Sequence, residues 1–169
     1  MAKIIVAGLG PGSMEYLPVK TYSLMGSLPR VFLRTEKHPL VKDLAGKGIS
    51  FTSFDYLYDR SDSFDEVYER IVTILLEEAK KGEVLYAVPG HPMVAERTVR
   101  LLIQRMEDPG DLEIIPAMSC LDALYAALKL DPTEGLCIVD CLDLPETLGK
   151  NPDTSRPCLL YTSPSPRDM

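Results

Sequence analysis

Val84-Leu-Tyr-Ala-Val-Pro-Gly-His-Pro-Met-Val94 stands near the middle of the chain and joins an apolar run to a turn with two prolines. The apolar run is rich in β-branched and aromatic residues, which is typical of a buried strand, and the amphipathic pattern of residues 95–106 predicts a helix after the turn. Within the turn, Pro89 and Pro92 fix their own φ, and Gly90 lets the backbone approach a ligand closely. Because α/β proteins bind ligands beyond the carboxyl ends of strands, the turn is a candidate binding loop. A plain tight connection explains a Pro-Gly turn equally well.

Composition and charge limit the class of protein. The chain has 169 residues, of which 46% are hydrophobic, so it can bury the core of one domain, or of one domain and part of another. Its formal net charge of -7 comes without a basic cluster, which argues against nucleic acid or an anionic membrane as a partner. No apolar run approaches the roughly 18 residues of a membrane span, and no signal-peptide pattern follows Met1, so a cytoplasmic location is predicted. The 4 cysteines lack paired spacing and no histidine lies near them, so no metal site is predicted.

The order of the apolar and amphipathic segments predicts the fold class. A continuous apolar run over residues 3–9 is typical of a strand covered on both faces. It is followed by a predicted helix over 19–28, a strand over 30–34, a helix from His38 to about 46, and a strand over 49–51. This alternation predicts an α/β fold with an open, mostly parallel sheet flanked by helices. His38 is expected to be a surface or capping residue, and residues 53–59 are expected to form a loop.

The remaining segments complete the predicted domain organisation. A long helix is expected to begin after Ser63, the predicted N-cap, and to carry a core-facing apolar stripe at helical spacing, formed by Phe64, Val67, Ile71, Ile74 and Leu75. A strand over 112–115 ends an N-terminal α/β lobe of residues 1–115. A helix over 121–130 and a strand over 135–140 then suggest that a second α/β lobe starts near Pro116. The chain is therefore predicted to contain one complete lobe and the start of another.

The glycine-rich turn after the first strand partly matches a dinucleotide-binding fingerprint. Gly8 and Gly10 fit the first two glycine positions, and Glu36 lies at a suitable distance for a ribose-binding acid. Ser13 occupies the third position, and Pro11 delays any helix, so no helix N-terminus follows the glycines to receive a pyrophosphate. An oxidoreductase that uses a nicotinamide or flavin cofactor is therefore a less favoured alternative.

Three motifs follow one another along the chain: Gly8-Leu-Gly-Pro-Gly-Ser13, Tyr86-Ala-Val-Pro-Gly-His-Pro92 and Pro116-Ala-Met-Ser-Cys120. In this order they resemble the tetrapyrrole (corrin/porphyrin) methylase superfamily. Four segments give a closer match: Val31-Phe-Leu-Arg-Thr-Glu36, Ser53-Phe-Asp-Tyr-Leu-Tyr58, Pro89-Gly-His-Pro92 and Leu121-Asp-Ala-Leu-Tyr125. Within that superfamily, they are similar to the methylase-like N-terminal domain that is often fused to MazG-type nucleotide pyrophosphohydrolases. The resemblance extends from residue 3 to about residue 157.

The resemblance implies a two-lobed fold that holds S-adenosylmethionine in the cleft between its lobes. The function implied is that of an S-adenosylmethionine-dependent methyltransferase-like domain. The residues that match the family's cofactor loops are Pro11, Pro89, Gly90, His91, Val94, Ser119 and Cys120. His91 stands where many members carry the acid of a Gly-Asp-Pro motif, although a lone histidine in a turn is more often structural. No catalytic residue is assigned, because methyl transfer is an in-line displacement in which orientation and electrostatics can supply much of the catalysis.

The partners implied are a small-molecule methyl acceptor that the sequence does not identify and a fused or associated MazG-type domain with pyrophosphohydrolase activity. A second copy of the chain, in a homodimer, is a further candidate partner. The alternative to a methyltransferase is a non-catalytic ligand-binding or regulatory domain of a MazG-type pyrophosphohydrolase. That alternative predicts cofactor binding without turnover.

The end of the chain resembles one reading frame of a transposase-type sequencing adapter, from Cys158 to Asp168. Residues 158–169 are therefore expected to be a non-native tail, although composition alone favours a disordered one. Residues 116–157 are expected to be the beginning of a truncated C-terminal lobe, and the chain as it stands is expected to be inactive. The strand predicted from Gly135 would then expose an unpaired edge.

Overall fold

The computed structural model describes residues 3–140, 155 and 157–161, and the chain divides into two compact units, Met1–Cys120 and Leu121–Met169. The first unit alternates strands and helices in the predicted order. Its elements are β1 (Ile4–Gly8), α1 (Val19–Ser27), β2 (Val31–Leu33), α2 (Val41–Gly46), β3 (Thr52–Ser53), α3 (Asp55–Tyr58), α4 (Phe64–Ala79), β4 (Val84–Val88), α5 (Arg97–Arg105) and β5 (Leu112–Ile115).

The five strands of this unit form one parallel sheet in the order β3-β2-β4-β1-β5. The central strands β1 and β4 pair directly, with Ile4 opposite Val84 and Gly8 opposite Val88. Every residue of both strands is buried, as the continuous apolar runs predict for strands covered on two faces. The open parallel α/β sheet is confirmed.

Alternate residues of the central strands point into two separate apolar cores. Ile4 and Val6 pack with residues of α4 and α5 on one face of the sheet. Ile5 and Ala7 pack with residues of α1 and α2 on the other face. Since side chains alternate along a strand, each strand supplies both layers, and the sheet becomes the middle layer of three.

Helix α4 confirms the predicted cap and most of the predicted apolar stripe. The Glu66 amide donates to the Ser63 hydroxyl at 3.3 Å, which makes Ser63 the N-cap. Val67, Ile71 and Leu75 are buried on one face of the helix. Phe64, at the first position of the helix, is 45% exposed and lies at the margin of the core.

The predicted loop over residues 53–59 is wrong, because this segment contains helix α3. Phe54 and Leu57 are fully buried in the core against α4, and the Asp55 amide donates to the Ser53 hydroxyl at the start of the turn. The third strand also lies later than predicted. Thr52 pairs with Phe32 of β2, whereas residues 49 and 51 pack against the core beside α2. Burial of Phe54 and Leu57 against α4 therefore stabilises a helical turn in this aromatic and acidic segment.

Helix α5 begins two residues later than the amphipathic pattern predicts. Ala95 has a φ of 53°, a left-handed conformation that no regular helix contains. The Glu96 side chain then accepts a hydrogen bond from the Thr98 amide and caps the helix. The loop after β4 consequently runs from Pro89 to Glu96.

The second unit contains helix and strand segments near the predicted positions. Helix α6 (Cys120–Leu128) begins at the last residue of the first unit, and β6 (Cys137–Asp140) pairs in parallel with β7 (Cys158–Tyr161). The prediction of an unpaired edge is therefore wrong for the edge of β6 that faces β7. Most of residues 141–156 and all of 162–169 lie outside the described residues, so the adapter origin of the tail stays a prediction.

The described residues contain no helix that is long and apolar enough to cross a membrane. Within the same part of the chain, no three His, Cys, Asp or Glu side chains lie together in a group that could hold a metal ion.

Candidate functional site

The loops after β1 and β4 cross at the carboxyl edge of the sheet. The Gly10 amide donates to the Gly90 carbonyl at 3.3 Å, and the Gly90 amide donates to the Gly10 carbonyl at 2.9 Å. Gly10 has a φ of 78° and Gly90 a φ of 61°, a backbone conformation that glycine adopts readily and other residues rarely do. Glycine at both positions is thus what allows the two loops to form this pair of hydrogen bonds.

The loop after β5 joins the same place through Gly8. A Cβ on Gly8 would lie 2.4 Å from the Gly90 carbonyl oxygen and 2.5 Å from the Ala117 Cβ. The backbone of β1 is therefore in close contact with the loop after β4 and with the loop after β5. Two loops thus converge on the last residue of β1, which has no side chain.

His91 holds the middle of the loop after β4 through its ring and its carbonyl group. The Met93 amide donates to His91 Nδ1 at 3.0 Å, and the Val94 amide donates to the His91 carbonyl at 3.0 Å. Because Nδ1 accepts a hydrogen bond, Nε2 is the ring nitrogen that carries the proton. The His91 residue is half-buried. His91 thus has a structural role in the loop and also presents an N–H group.

The residues that the sequence places in the cofactor loops all lie in the first unit. A Cβ on Gly90 would lie 3.9 Å from the Ser119 Cα, so the structure brings these two residues together. Ser119 is buried, and Cys120, which follows it, is exposed. Half-buried residues on the loops after β1 and β4 complete the set: Pro11, Pro89, His91 and Val94.

His38 belongs to this site, and the prediction that it is a surface or capping residue is wrong. Its side chain is buried, and its Nε2 lies 3.1 Å from the Gly10 carbonyl oxygen, to which it donates. The fully buried Leu40 and the buried Val41 draw the start of α2 into the core, and His38 is drawn in with them. Burial lowers the pKa of His38, and the hydrogen bond to Gly10 offsets this only in part. The apolar pair that follows His38 is the sequence signal that could have indicated its burial.

Asp55 fixes the loop that carries His38. Its carboxylate accepts hydrogen bonds from the Thr35 hydroxyl at 2.7 Å, the Glu36 amide at 2.7 Å and the Ser53 hydroxyl at 2.6 Å. Burial alone would raise the pKa of Asp55, but these hydrogen bonds outweigh it and the pKa is lowered. The loop after β2 is thereby tied to the end of β3.

A nearly buried ion pair fixes the far end of the loop after β4. Glu96 Oε1 lies 3.4 Å from Arg34 Nε, and the two side chains are only 10% and 11% exposed. The Arg34 guanidinium lies 5.1 Å from the ring centre of Tyr58 and 5.0 Å from that of Tyr68. Glu96 also accepts from the Thr98 hydroxyl at 2.7 Å. Sequence reasoning did not identify this cluster, because its members come from four separate segments.

The fold and the candidate site together define an α/β protein in which the loops after β1, β4 and β5 meet through glycines at the carboxyl edge of a parallel sheet. The model of the family Tetrapyrrole (Corrin/Porphyrin) Methylases matches residues 3–165. The chain therefore belongs to this family.

One curated relative and two solved structures describe what the chain is similar to. It is 41% identical over 139 residues to the uncharacterized protein YabN of Bacillus subtilis (strain 168). The matched region covers 82% of this chain but only 28% of YabN. It superimposes on a crystal structure of diphthine synthase with a TM-score of 0.67 and 19% identity, covering 95% of this chain and 64% of that one. It also superimposes on uroporphyrin-III C-methyltransferase from Thermus thermophilus, complexed with S-adenosyl homocysteine, with a TM-score of 0.54 and 23% identity, covering 82% and 55% of the two chains. These structures establish the fold.

Proposed function

We propose that the chain binds S-adenosylmethionine on the loops after β1, β4 and β5, as a methyltransferase-like domain. The observation that carries the proposal is the pair of backbone hydrogen bonds between Gly10 and Gly90 at the carboxyl edge of the sheet, with the Gly90 carbonyl in close contact with Gly8. Family membership supports it. So does the structural neighbour from Thermus thermophilus, which was solved with S-adenosyl homocysteine.

The residues of the site fit such a cofactor. S-adenosylmethionine has a sulfonium, an amino acid group and an adenine, and it needs backbone donors and acceptors with small residues beside them. A Cβ on Gly90 would be in ordinary van der Waals contact with the Ser119 Cα at 3.9 Å, so the absence of a side chain at Gly90 leaves room beside Ser119 for a ligand atom. The residues proposed to hold the cofactor are Pro11, Pro89, Gly90, His91, Val94, Ser119 and Cys120.

The loop after β4 is held in its conformation before any ligand binds. Gly90 is fixed by its bridge to Gly10, and Glu96 is fixed by Arg34 and by the cap of α5. A loop that is already ordered loses little conformational entropy on binding, so more of the contact energy appears as affinity.

The bound cofactor would supply an electrophilic methyl group. The chain's own contribution is to orient the cofactor with the rigid loops and to exclude water, which fits an in-line displacement that depends on alignment. No residue is assigned as a catalytic base, and the methyl acceptor is left open.

Equilibrium binding tests this function. We expect saturable binding of S-adenosylmethionine to one site on the full chain, and we expect Gly90→Val to weaken it at least tenfold, because valine is strained at a φ of 61° and fills the open side of the loop. Gly26→Ala in α1 is the control, since it lies outside these loops and a Cβ at that position would meet no other part of the chain within 4 Å. Absence of binding at millimolar cofactor contradicts the proposal. Binding of reduced nicotinamide cofactor instead would favour the oxidoreductase alternative.

A non-catalytic ligand-binding or regulatory domain is the second candidate. The role of His91 favours it, because the ring that replaces the family's acid is engaged by the Met93 amide within its own loop. This candidate predicts cofactor binding with no S-adenosyl homocysteine released in the presence of any acceptor offered, also in a protein that continues past residue 157. Formation of S-adenosyl homocysteine that depends on an acceptor excludes it.

The finer parts of the proposal rest on the sequence resemblance and composition alone. They are an association with a MazG-type nucleotide pyrophosphohydrolase, a cytoplasmic location, and inactivity of the chain through truncation after residue 157. The test is long-read sequencing of the source DNA across the codon for Pro157, without transposase-based library preparation. A frame that continues into more of a second lobe supports truncation, and a stop after Met169 contradicts it.

A further inference from the structure

The Gly10 carbonyl accepts two hydrogen bonds from two different loops. One comes from the Gly90 amide at 2.9 Å and the other from His38 Nε2 at 3.1 Å. The carbonyl is therefore the point at which the loops after β1, β2 and β4 are joined. His38 is the only side chain that contributes to this junction among the described residues.

His38 is restricted to one protonation state by its surroundings. A histidine that donates to a carbonyl through Nε2 carries its proton there, and the buried Nδ1 atom of His38 has no hydrogen-bond partner among the described residues. A second proton on Nδ1 would place an unpaired charge in a buried position, which is unfavourable. The ring is therefore a neutral, single-tautomer donor to Gly10.

The backbone that carries His38 is itself fixed. Asp55 accepts hydrogen bonds from Thr35 and Glu36, only a few residues before His38, and so ties this loop to the end of β3. The Val41 amide donates to the His38 carbonyl at 3.0 Å on the other side. A donor that is held from both directions can set the position of the group it binds.

We propose that His38 is a positioning residue that holds the Gly10 carbonyl, and through it the Gly10–Gly90 pair, in the geometry that binds the cofactor. This inference rests on the proposed function. His38 acts through the backbone of the two glycines and does not itself touch the cofactor. A histidine that only fills the core would stabilise the fold without affecting the glycine pair in particular.

Two variants at this position separate positioning from packing. His38→Gln keeps an N–H group at about the reach of Nε2 and can still donate to Gly10, whereas His38→Leu fills the space without a donor. Leu44→Ala is the control for general loss of stability, because Leu44 is fully buried in α2 and is not part of the cofactor loops.

The first measurement is hydrogen exchange at the Gly90 amide in the chain without ligand. We expect exchange about tenfold faster in His38→Leu than in wild type, with His38→Gln close to wild type, because the amide donates to the carbonyl that His38 holds. The comparison is made relative to a strand amide of β4 in the same variant, which removes the effect of global stability. Equal relative exchange in wild type and His38→Leu overturns the inference.

The second measurement is the affinity for S-adenosyl homocysteine. We expect His38→Leu to bind about tenfold more weakly than wild type, and His38→Gln and Leu44→Ala to bind within about threefold of it. If wild type binds and all variants bind equally, His38 is not a positioning residue and the proposed function stands. If wild type does not bind, the proposed function fails and this inference fails with it.

Discussion

Gly8 determines how closely the loops after β1, β4 and β5 approach one another. Its α-carbon is so near the Gly90 carbonyl and Ala117 that a single added methyl group would overlap both. Such overlap forces backbone movement, because neither the carbonyl nor the neighbouring Cβ lies at the end of a flexible side chain.

We expect Gly8→Ala to lower the free energy of unfolding by about 2 kcal/mol, as overpacking in a tight site does. Gly12→Ala should change it by less than about 0.5 kcal/mol, since a Cβ at Gly12 meets no atom within 4 Å. Urea unfolding of wild type, Gly8→Ala and Gly12→Ala measures both changes in the free energy of unfolding. Equal stability of the two variants would mean that the loops do not pack on Gly8 as described.

His38 predicts a pH dependence of stability in the mildly acidic range. Burial lowers its pKa in the folded chain below the unfolded value of about 6.5, so the unfolded chain binds more protons as the pH falls below that value. Stability should therefore be complete above about pH 6.5 and decrease as the pH is lowered toward the folded pKa. The measurement is urea unfolding of wild type and His38→Gln at pH 7.5 and pH 5.5.

We expect the stability of wild type relative to His38→Gln to decrease between these two pH values. Asp55 does not contribute to this change, because its pKa in the folded chain is also lowered. Its contribution to stability is lost only below about pH 3.9, the pKa of an unfolded aspartate. A wild-type advantage that stays constant from pH 7.5 to pH 5.5 contradicts a buried, neutral His38.

At the scale of elements, the loop after β4 is anchored at both ends, by Gly90 and by Glu96. The Glu96 side chain connects Arg34 of the loop after β2 with the first turn of α5. Because both charged groups are nearly buried, removing one leaves the other without its partner in a poorly solvated place.

We expect Glu96→Ala to lower the free energy of unfolding by about 3 kcal/mol, since breaking a buried pair is strongly destabilising. Glu77→Ala is the matched control: it removes an ion pair with Lys80 in which both side chains are about 60% exposed, and should change stability by less than about 0.5 kcal/mol. Chemical denaturation of both variants tests the difference. Similar small losses in the two variants would show that the Glu96 pair is solvated like a surface pair.

The elements that sequence reasoning predicted are those with an uninterrupted local pattern. The apolar runs of β1 and β4 and the stripe of α4 report burial directly, because each residue contacts the core through its own element. Helix α3 and the position of β3 depend on partners distant in sequence, such as the pairing of Thr52 with Phe32. The same applies to His38 and Arg34, whose contacts lie on other loops and could not be inferred from neighbouring residues.

At the scale of the whole molecule, all the predicted cofactor-loop residues lie in the unit Met1–Cys120. The three family motifs correspond to the loops after β1, β4 and β5, which meet at Gly8 and Gly90. Motifs that are far apart in sequence are thus close together in the fold. The chain spans 28% of YabN, so the activity of a whole protein of this kind remains a proposal.

A titration of the full chain with S-adenosyl homocysteine, monitored by the chemical shifts of the backbone amides, tests the cofactor site most directly. We expect saturable shifts at Gly10, at residues 90–94 and at Ser119, and little change at Lys3 and Glu83 at the opposite edge of the sheet. Absence of any shift at millimolar ligand, or shifts confined to that opposite edge, would contradict the claim that these loops form a cofactor site.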